Sequence, residues 1–262
     1  LYPDRVTVCV STQAGCAMAC GFCATGQAGF TRHLTVGEIV EQVVVAARRG
    51  RELGRRVGNI VFMGMGEPLM NWKAVDTVLT ILNDPRGIGI GARHITLSTV
   101  GWLPGIEALE GRKEQFRLAI SIHAPSDALR ATLMPVNTKY PLDAVIARAA
   151  EFSRRVTFEY VMLGGVNDAN EHADALADLA RRCGAFVNLI PLHPGGAMGF
   201  VPSPPERIIK FAARIRAAGI EVAIRKSRGL DIAAACGQLR AERLRRRPPA
   251  GADHHGEVHE PA

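Results

Sequence analysis

Aromatic residues are scarce in this sequence: they make up 5% of 262 residues, with two Trp and three Tyr. That is too few for the row of stacking side chains that binds long single strands of nucleic acid. Apolar runs long enough and free enough of charge to span a bilayer are absent, as is a basic-then-apolar leader before the first strand-like segment. The expectation is a cytoplasmic protein with no membrane partner. Neither a repeat at a solenoid period nor a second domain boundary is visible. What is plentiful is apolar sequence, 47% of residues, which builds a core without staples. Six cysteines in a reducing compartment therefore point to metal binding or chemistry before disulfides. The formal net charge of +7 favours an acidic partner such as nucleic acid, met through phosphate contacts and shape.

Strand-like patterns occupy residues 6–11, 59–67, 94–101, 116–124, 156–163, 186–192 and 221–229. Helical patterns lie between them. Thr35 with Glu38 forms a capping box ahead of IVEQVVVAARR, and Pro141 suits the first turn of LDAVIARAAEF. Ser203 with Glu206 is expected to cap IIKFAARIRAA, which Gly219 stops. Alternating strands and helices, with strands rich in Val, Ile and Leu, predict one α/β domain with a parallel sheet covered on both faces. Polar or unusual residues recur at strand ends: GEP after the second strand, then Ser98, Ser121 with His123, and Arg225. In a parallel barrel those ends build the active site, so an open or closed barrel is expected rather than a doubly wound sheet. From Arg240 the text turns basic and then rich in Pro, Gly and His; residues 241–262, with His254, His255 and His259, read as a frayed tail.

Cys16, Cys20 and Cys23 stand as C-x3-C-x2-C just after the first strand, where barrel sites are built. Three readings stay open from these residues alone. Zinc in a structural site wants four ligands, which would recruit Cys9 or His33. Cys20 and Cys23 form a C-x2-C pair, although the strand, helix and cis-proline of a thioredoxin context are not evident. Three thiolates on a four-iron cluster leave one iron open to a substrate or cofactor. Cys9 lies in an apolar alternation like a core thiol, and Cys183, near a helix end, reads as structural.

C-x3-C-x2-C with an aromatic before the last cysteine resembles the signature of the radical S-adenosylmethionine (SAM) superfamily. CVSTQAGC, CATGQAGF, MGMGEP, LSTVG, SIHAP, EYVMLGGVND, NLIPL and IAAACGQL, in that order, resemble the RlmN/Cfr family, radical enzymes that methylate an adenine ring carbon in 23S ribosomal RNA. The resemblance implies a partial (β/α)6 TIM-like barrel over residues 1–240. It also implies a [4Fe-4S] cluster on Cys16, Cys20 and Cys23 whose open iron binds S-adenosylmethionine. By the same resemblance Gly66, Glu67, Ser98, Ser121, Ile122, His123 and the position of His193 contact that cofactor. Cys236 accepts a methyl group as a thioether, and Cys9 later attacks the Cys236 sulfur, forming a disulfide and releasing the methylated base. Further implied are a transfer RNA adenine as a second substrate, an electron donor such as flavodoxin, and a monomer.

Two features depart from the family pattern. His193 stands where the family carries Asn in NLIP-x-NP, and imidazole can donate one hydrogen bond as the amide does. The family's N-terminal helical RNA-binding domain, of roughly a hundred residues, and its glutamate upstream of Cys9 have no counterpart in the sequence, which is expected to be the catalytic domain alone. The proline of GEP favours the adenine-C2 branch over the C8-methylating resistance branch. Other function classes remain distinguishable, namely a zinc-stabilised RNA-binding module and a thiol oxidoreductase. Anaerobic purification is expected to yield a brown protein with a broad band at about 400 nm; a colourless protein carrying one zinc per chain would refute the cluster.

Overall fold

The computed structural model describes residues 6–192 and 199–225, so His193, Cys236 and the basic tail lie outside the described residues. Seven strands form one parallel sheet: β1 (Val6–Cys9), β4 (Val57–Phe62), β5 (Ile95–Thr99), β6 (Arg117–Ser121), β7 (Val156–Met162), β8 (Phe186–Pro191) and β9 (Val222–Ile224). Spatial order equals chain order, β1-β4-β5-β6-β7-β8-β9. A separate antiparallel hairpin pairs β2 (Gln13–Gly15) with β3 (Phe30–His33). The helices are α1 (Ala24–Gln27), α2 (Val36–Glu52), α3 (Trp72–Asn83), α4 (Leu103–Glu110), α5 (Asp127–Leu133), α6 (Leu142–Glu151), α7 (Asn170–Cys183) and α8 (Pro205–Ala217). Among the described residues six strands are each followed by helix, and the short β9 is the last. The predicted partial (β/α)6 barrel is thus present as a curled half-barrel with one extra strand.

Alternation along the strands assigns the two faces. Ile60, Phe62, Leu97, Leu118, Ile120, Phe158 and Leu189 are sealed from solvent in the main core, which the helices complete. In α3, Val75, Val78, Leu79 and Leu82 recur at helical spacing and are all buried; each contributes about 1.5–3 kcal/mol by leaving water. The opposite face of the sheet carries Thr96, Ser98, Ser121, Thr157, Glu159 and Asn188, which line cavities on the inner side of the curl. The sheet is therefore apolar towards the helices and polar towards the lumen, whereas its sequence suggested two apolar faces.

Several boundaries differ from the sequence-based expectation. The GMGEP segment is a turn beyond β4, since Gly66 adopts φ +100° and Pro68–Asn71 form a short 3-10 helix. The β2–β3 hairpin was not predicted, because every residue of β3 is exposed and carries no apolar alternation. The Thr35–Glu38 capping box is present in full. Ser203 does not cap α8: the cap position is Pro204, with Pro205 in the first turn. Pro141 occupies the cap position of α6 instead of its first turn.

One close approach fixes the GEP turn from behind. A Cβ added at Gly105 of α4 would lie 2.4 Å from Leu69 Cβ and 3.0 Å from the Leu69 carbonyl. Gly105→Ala is expected to destabilise the protein by about 1–3 kcal/mol, read as a lowered urea midpoint with an unchanged slope.

Candidate active site

The cysteine loop joins β2 to α1, and main-chain hydrogen bonds set its course. Cys16 N–H donates to Gly29 O at 2.9 Å, Cys23 N–H to Cys20 O at 3.1 Å, and Gly21 N–H to Leu133 O at 2.9 Å. Ala19 takes φ +51°, a left-handed conformation costly for a residue with a side chain. All three cysteines line one cavity at the carboxyl ends of the strands. Burial pushes the Cys16 thiol up to about 11, with the Cys23 and Glu67 charges adding to the rise. Cys20 is raised further, by burial first and then by Cys23 and Cys16. Thiolates here repel one another, and a cationic centre among them would reverse that balance. Among the described residues no three His, Cys, Asp or Glu side chains converge as a closed metal-ligand set. The donor chemistry nevertheless suits an iron–sulfur centre: three thiols, within eight positions of each other, on one wall of one cavity.

The strand-end residues line the same cavity. Glu67 is 2% exposed, and its carboxylate accepts from the N–H groups of Leu69 (3.1 Å) and Val100 (2.8 Å). Burial nevertheless lifts its pKa to about 7. Its own N–H donates to Gln13 Oε1 at 2.9 Å, and a Cβ on Gly66 would strike Gln13 Cβ at 2.5 Å. Gly66, Glu67, Ser98, Ser121 and His123 all line the cavity with the cysteines.

His123 sits at φ +56°. Asn167 holds that strained backbone, donating from Nδ2 to the carbonyls of His123 (2.8 Å) and Val161 (2.7 Å). The imidazole Nδ1 accepts from Val161 N–H at 3.0 Å, which assigns its proton to Nε2. Burial, with the Arg130 charge second, pulls its pKa down to about 3, so the ring is neutral. The Phe22 ring meets it edge-on at 4.6 Å.

Other expected residues are placed differently. Ile122 is sealed in the core, its N–H bonded to Glu159 O, and its side chain does not line the cavity. Cys9, the last residue of β1, is exposed rather than a core thiol, and it is not among the cavity residues. Cys236 and His193 lie outside the described residues, so their expected meeting with Cys9 and the cofactor has no geometry here. Cys183 closes α7, its thiol directed to helix carbonyls.

Sequence reading passed over four residues. Gln13, Asn167, Arg130 and Glu159 are all buried and polar. Glu159 lines the cavity, accepts from Asn188 Nδ2 at 3.2 and 3.0 Å, and faces Arg225 at 4.0 Å. The one available signal was polarity inside apolar strand text, at Glu159 in FEYVM.

The Radical SAM superfamily model matches residues 10–180. A probable dual-specificity RNA methyltransferase RlmN of Gemmatimonas aurantiaca is 70% identical over 258 residues, 98% of this chain and 71% of that protein. Its counterpart in Frankia casuarinae is 52% identical, covering 92% of this chain and 60% of its own length. The crystal structure of a radical SAM methyltransferase from Sphaerobacter thermophilus superposes with a TM-score of 0.88 at 52% identity, covering 91% of this chain and 71% of that one. The chain thus spans 60% to 71% of the proteins it matches here.

The neutral His123 carries a pH signature. Its folded pKa lies below its unfolded value of 6.5, so its contribution to stability is present above about pH 6.5 and drains away as pH falls towards about 3. His123→Gln is expected to flatten that part of the stability profile of the metal-free protein, measured by urea unfolding between these limits.

Proposed function

Because the chain belongs to the radical SAM superfamily and, within it, to the RlmN family of dual-specificity RNA methyltransferases, we propose that it forms the catalytic domain of an enzyme that methylates adenine C2 in 23S ribosomal RNA and in transfer RNA. The observation that carries this reading is the sharing of one cavity by Cys16, Cys20, Cys23, Gly66, Glu67, Ser98, Ser121 and His123. Residues 1–240 serve as the catalytic domain, and 241–262 as a basic tail. Among the described residues no helix is long and apolar enough to cross a membrane, in keeping with a ribosomal RNA substrate.

The three cysteines hold the [4Fe-4S] cluster through their thiolates. When bound, the cluster and S-adenosylmethionine supply the one-electron chemistry that a carbon centre without a nucleophilic lone pair requires. Glu67 accepts the ammonium group of the cofactor's methionine end; its carboxylate is braced by two backbone N–H groups and so pays little reorganisation on binding. His123, neutral and locked by Val161, presents Nε2–H as a fixed donor. Ser98 and Ser121 add hydroxyls at adjoining strand ends. Phe22 and Val161 line the same cavity and exclude water beside them. Cys236 carries the methyl group as a thioether. Once that methyl carbon is joined to the adenine carbon, the Cys9 thiolate attacks the Cys236 sulfur, so that the S–S bond forms as the S–C bond breaks. The electron pair passes to the carbon, which takes up a proton to become the methyl group of the released base. An electron donor such as flavodoxin and action as a monomer complete the reading.

Mass spectrometry of ribosomal and transfer RNA from cells expressing the full-length protein tests the assignment. 2-Methyladenine is expected, and 8-methyladenine without it would overturn the C2 position. In the same cells Cys236→Ala is expected to abolish product, while Cys9→Ala leaves RNA covalently attached to the protein. Free methylated RNA from the Cys9 variant would contradict its resolving role. Gly66→Ala, which drives a Cβ into Gln13, is expected to weaken S-adenosylmethionine binding at least tenfold by calorimetry, as about 1.4 kcal/mol of strain suffices.

A further inference from the structure

Among the described residues Arg130, in α5, heads the fully buried side chains by volume, at 0% exposure. Its guanidinium donates to the carbonyls of Val100 (2.6 Å), Ser121 (3.2 Å), Ile122 (3.2 Å) and Tyr140 (3.5 Å) and to Asn137 Oδ1 (2.8 Å). Each of these acceptors is neutral. Burial draws its pKa down to about 10, which leaves the side chain charged at neutral pH. A cation sealed among neutral dipoles is costly unless an anion shares its low-dielectric surroundings.

Two acidic side chains act on it electrostatically when ionised: Cys20, whose thiolate form a bound metal centre would favour, and Asp127. Asp127 is exposed, and its Oδ1 accepts from Asn137 Nδ2 and Leu142 N–H, so solvent screens much of its charge. Cys20 is buried. The helix of Arg130 is joined to the cysteine loop through Gly21 N–H and Leu133 O, and Cys20 packs in one small apolar cluster with Leu133 and Met134.

We propose that Arg130 is the counterion of the anionic centre formed by the three cysteine thiolates, a positioning residue whose charge eases one-electron reduction of the cluster while its donors brace the strand ends around the cofactor. The proposal rests on the function inferred above. As a general scale, a unit charge about 10 Å from a redox centre, at an effective dielectric of about 20, alters a one-electron equilibrium by about tenfold.

The test is a redox titration of the full-length protein, reconstituted anaerobically, with iron and sulfide counted and the reduced cluster followed by electron paramagnetic resonance. At the parent's midpoint potential, Arg130→Gln is expected to show a reduced-to-oxidised ratio about tenfold lower. Arg130→Lys keeps the charge and loses the five-donor fork, so its ratio should stay within about twofold of the parent while its melting temperature falls. A structural role alone would make the potential follow the loss of the fork, leaving Lys as impaired as Gln. A Gln variant that keeps the parent's potential, or a Lys variant that falls as far as expected for Gln, overturns the proposal. If Arg130→Gln takes up no iron, the Lys result decides by itself. A parent protein that takes up no iron overturns the proposed function along with the inference, whereas a cluster-bearing parent with an indifferent potential overturns the inference alone.

Discussion

Parallel strands end with backbone donors and acceptors that no continuing ladder can pair, and here buried polar side chains take them up. Val100 gives its N–H to Glu67 and its carbonyl to Arg130. Val161 gives its N–H to His123 and its carbonyl to Asn167. Unpaired and buried, each such group would cost about 1–3 kcal/mol. The side chains that stabilise the rim of the sheet are thus the ones that shape the cavity, and folding and site geometry share one set of hydrogen bonds.

That sharing also explains the strain. His123 keeps a left-handed backbone because Asn167 and the Val161 N–H hold it from two sides. Ala19 in the cysteine loop is likewise left-handed without being glycine. His123 lines the cavity and Ala19 lies between two residues that do, Met18 and Cys20, which fits the tendency of strained residues to collect where a ligand must be met by a preformed surface.

Much of this arrangement was legible in the sequence, for identifiable reasons. Short Val- and Ile-rich runs separated by helical periods fix a parallel sheet, and the C-x3-C-x2-C spacing marks the cysteine loop at the right strand end. The capping box at Thr35 is a local signal and appears as expected. What escaped was long-range. Arg130 sits in APSDALR, where nothing local marks it, and only the tertiary fold seals it beneath the ends of β5 and β6. Gln13 and Asn167 act on backbone groups distant in the chain or beyond a turn. Ile122, the first residue past β6, lies between two cavity residues, yet its N–H still pairs with Glu159 O and its side chain is sealed in the core. The β3 strand had no apolar pattern to betray it, since all of its residues face solvent.

Strand order that equals chain order has a consequence for how the protein comes into being. Each βα unit finds its neighbour already made, so the sheet can grow by addition at one edge as the chain leaves the ribosome, with little need for distant segments to find one another. The cysteine loop belongs to the first unit, while Leu192 and Arg225, which line the same cavity, follow β8 and β9. During synthesis the three thiols therefore emerge before the residues that complete the cavity around them.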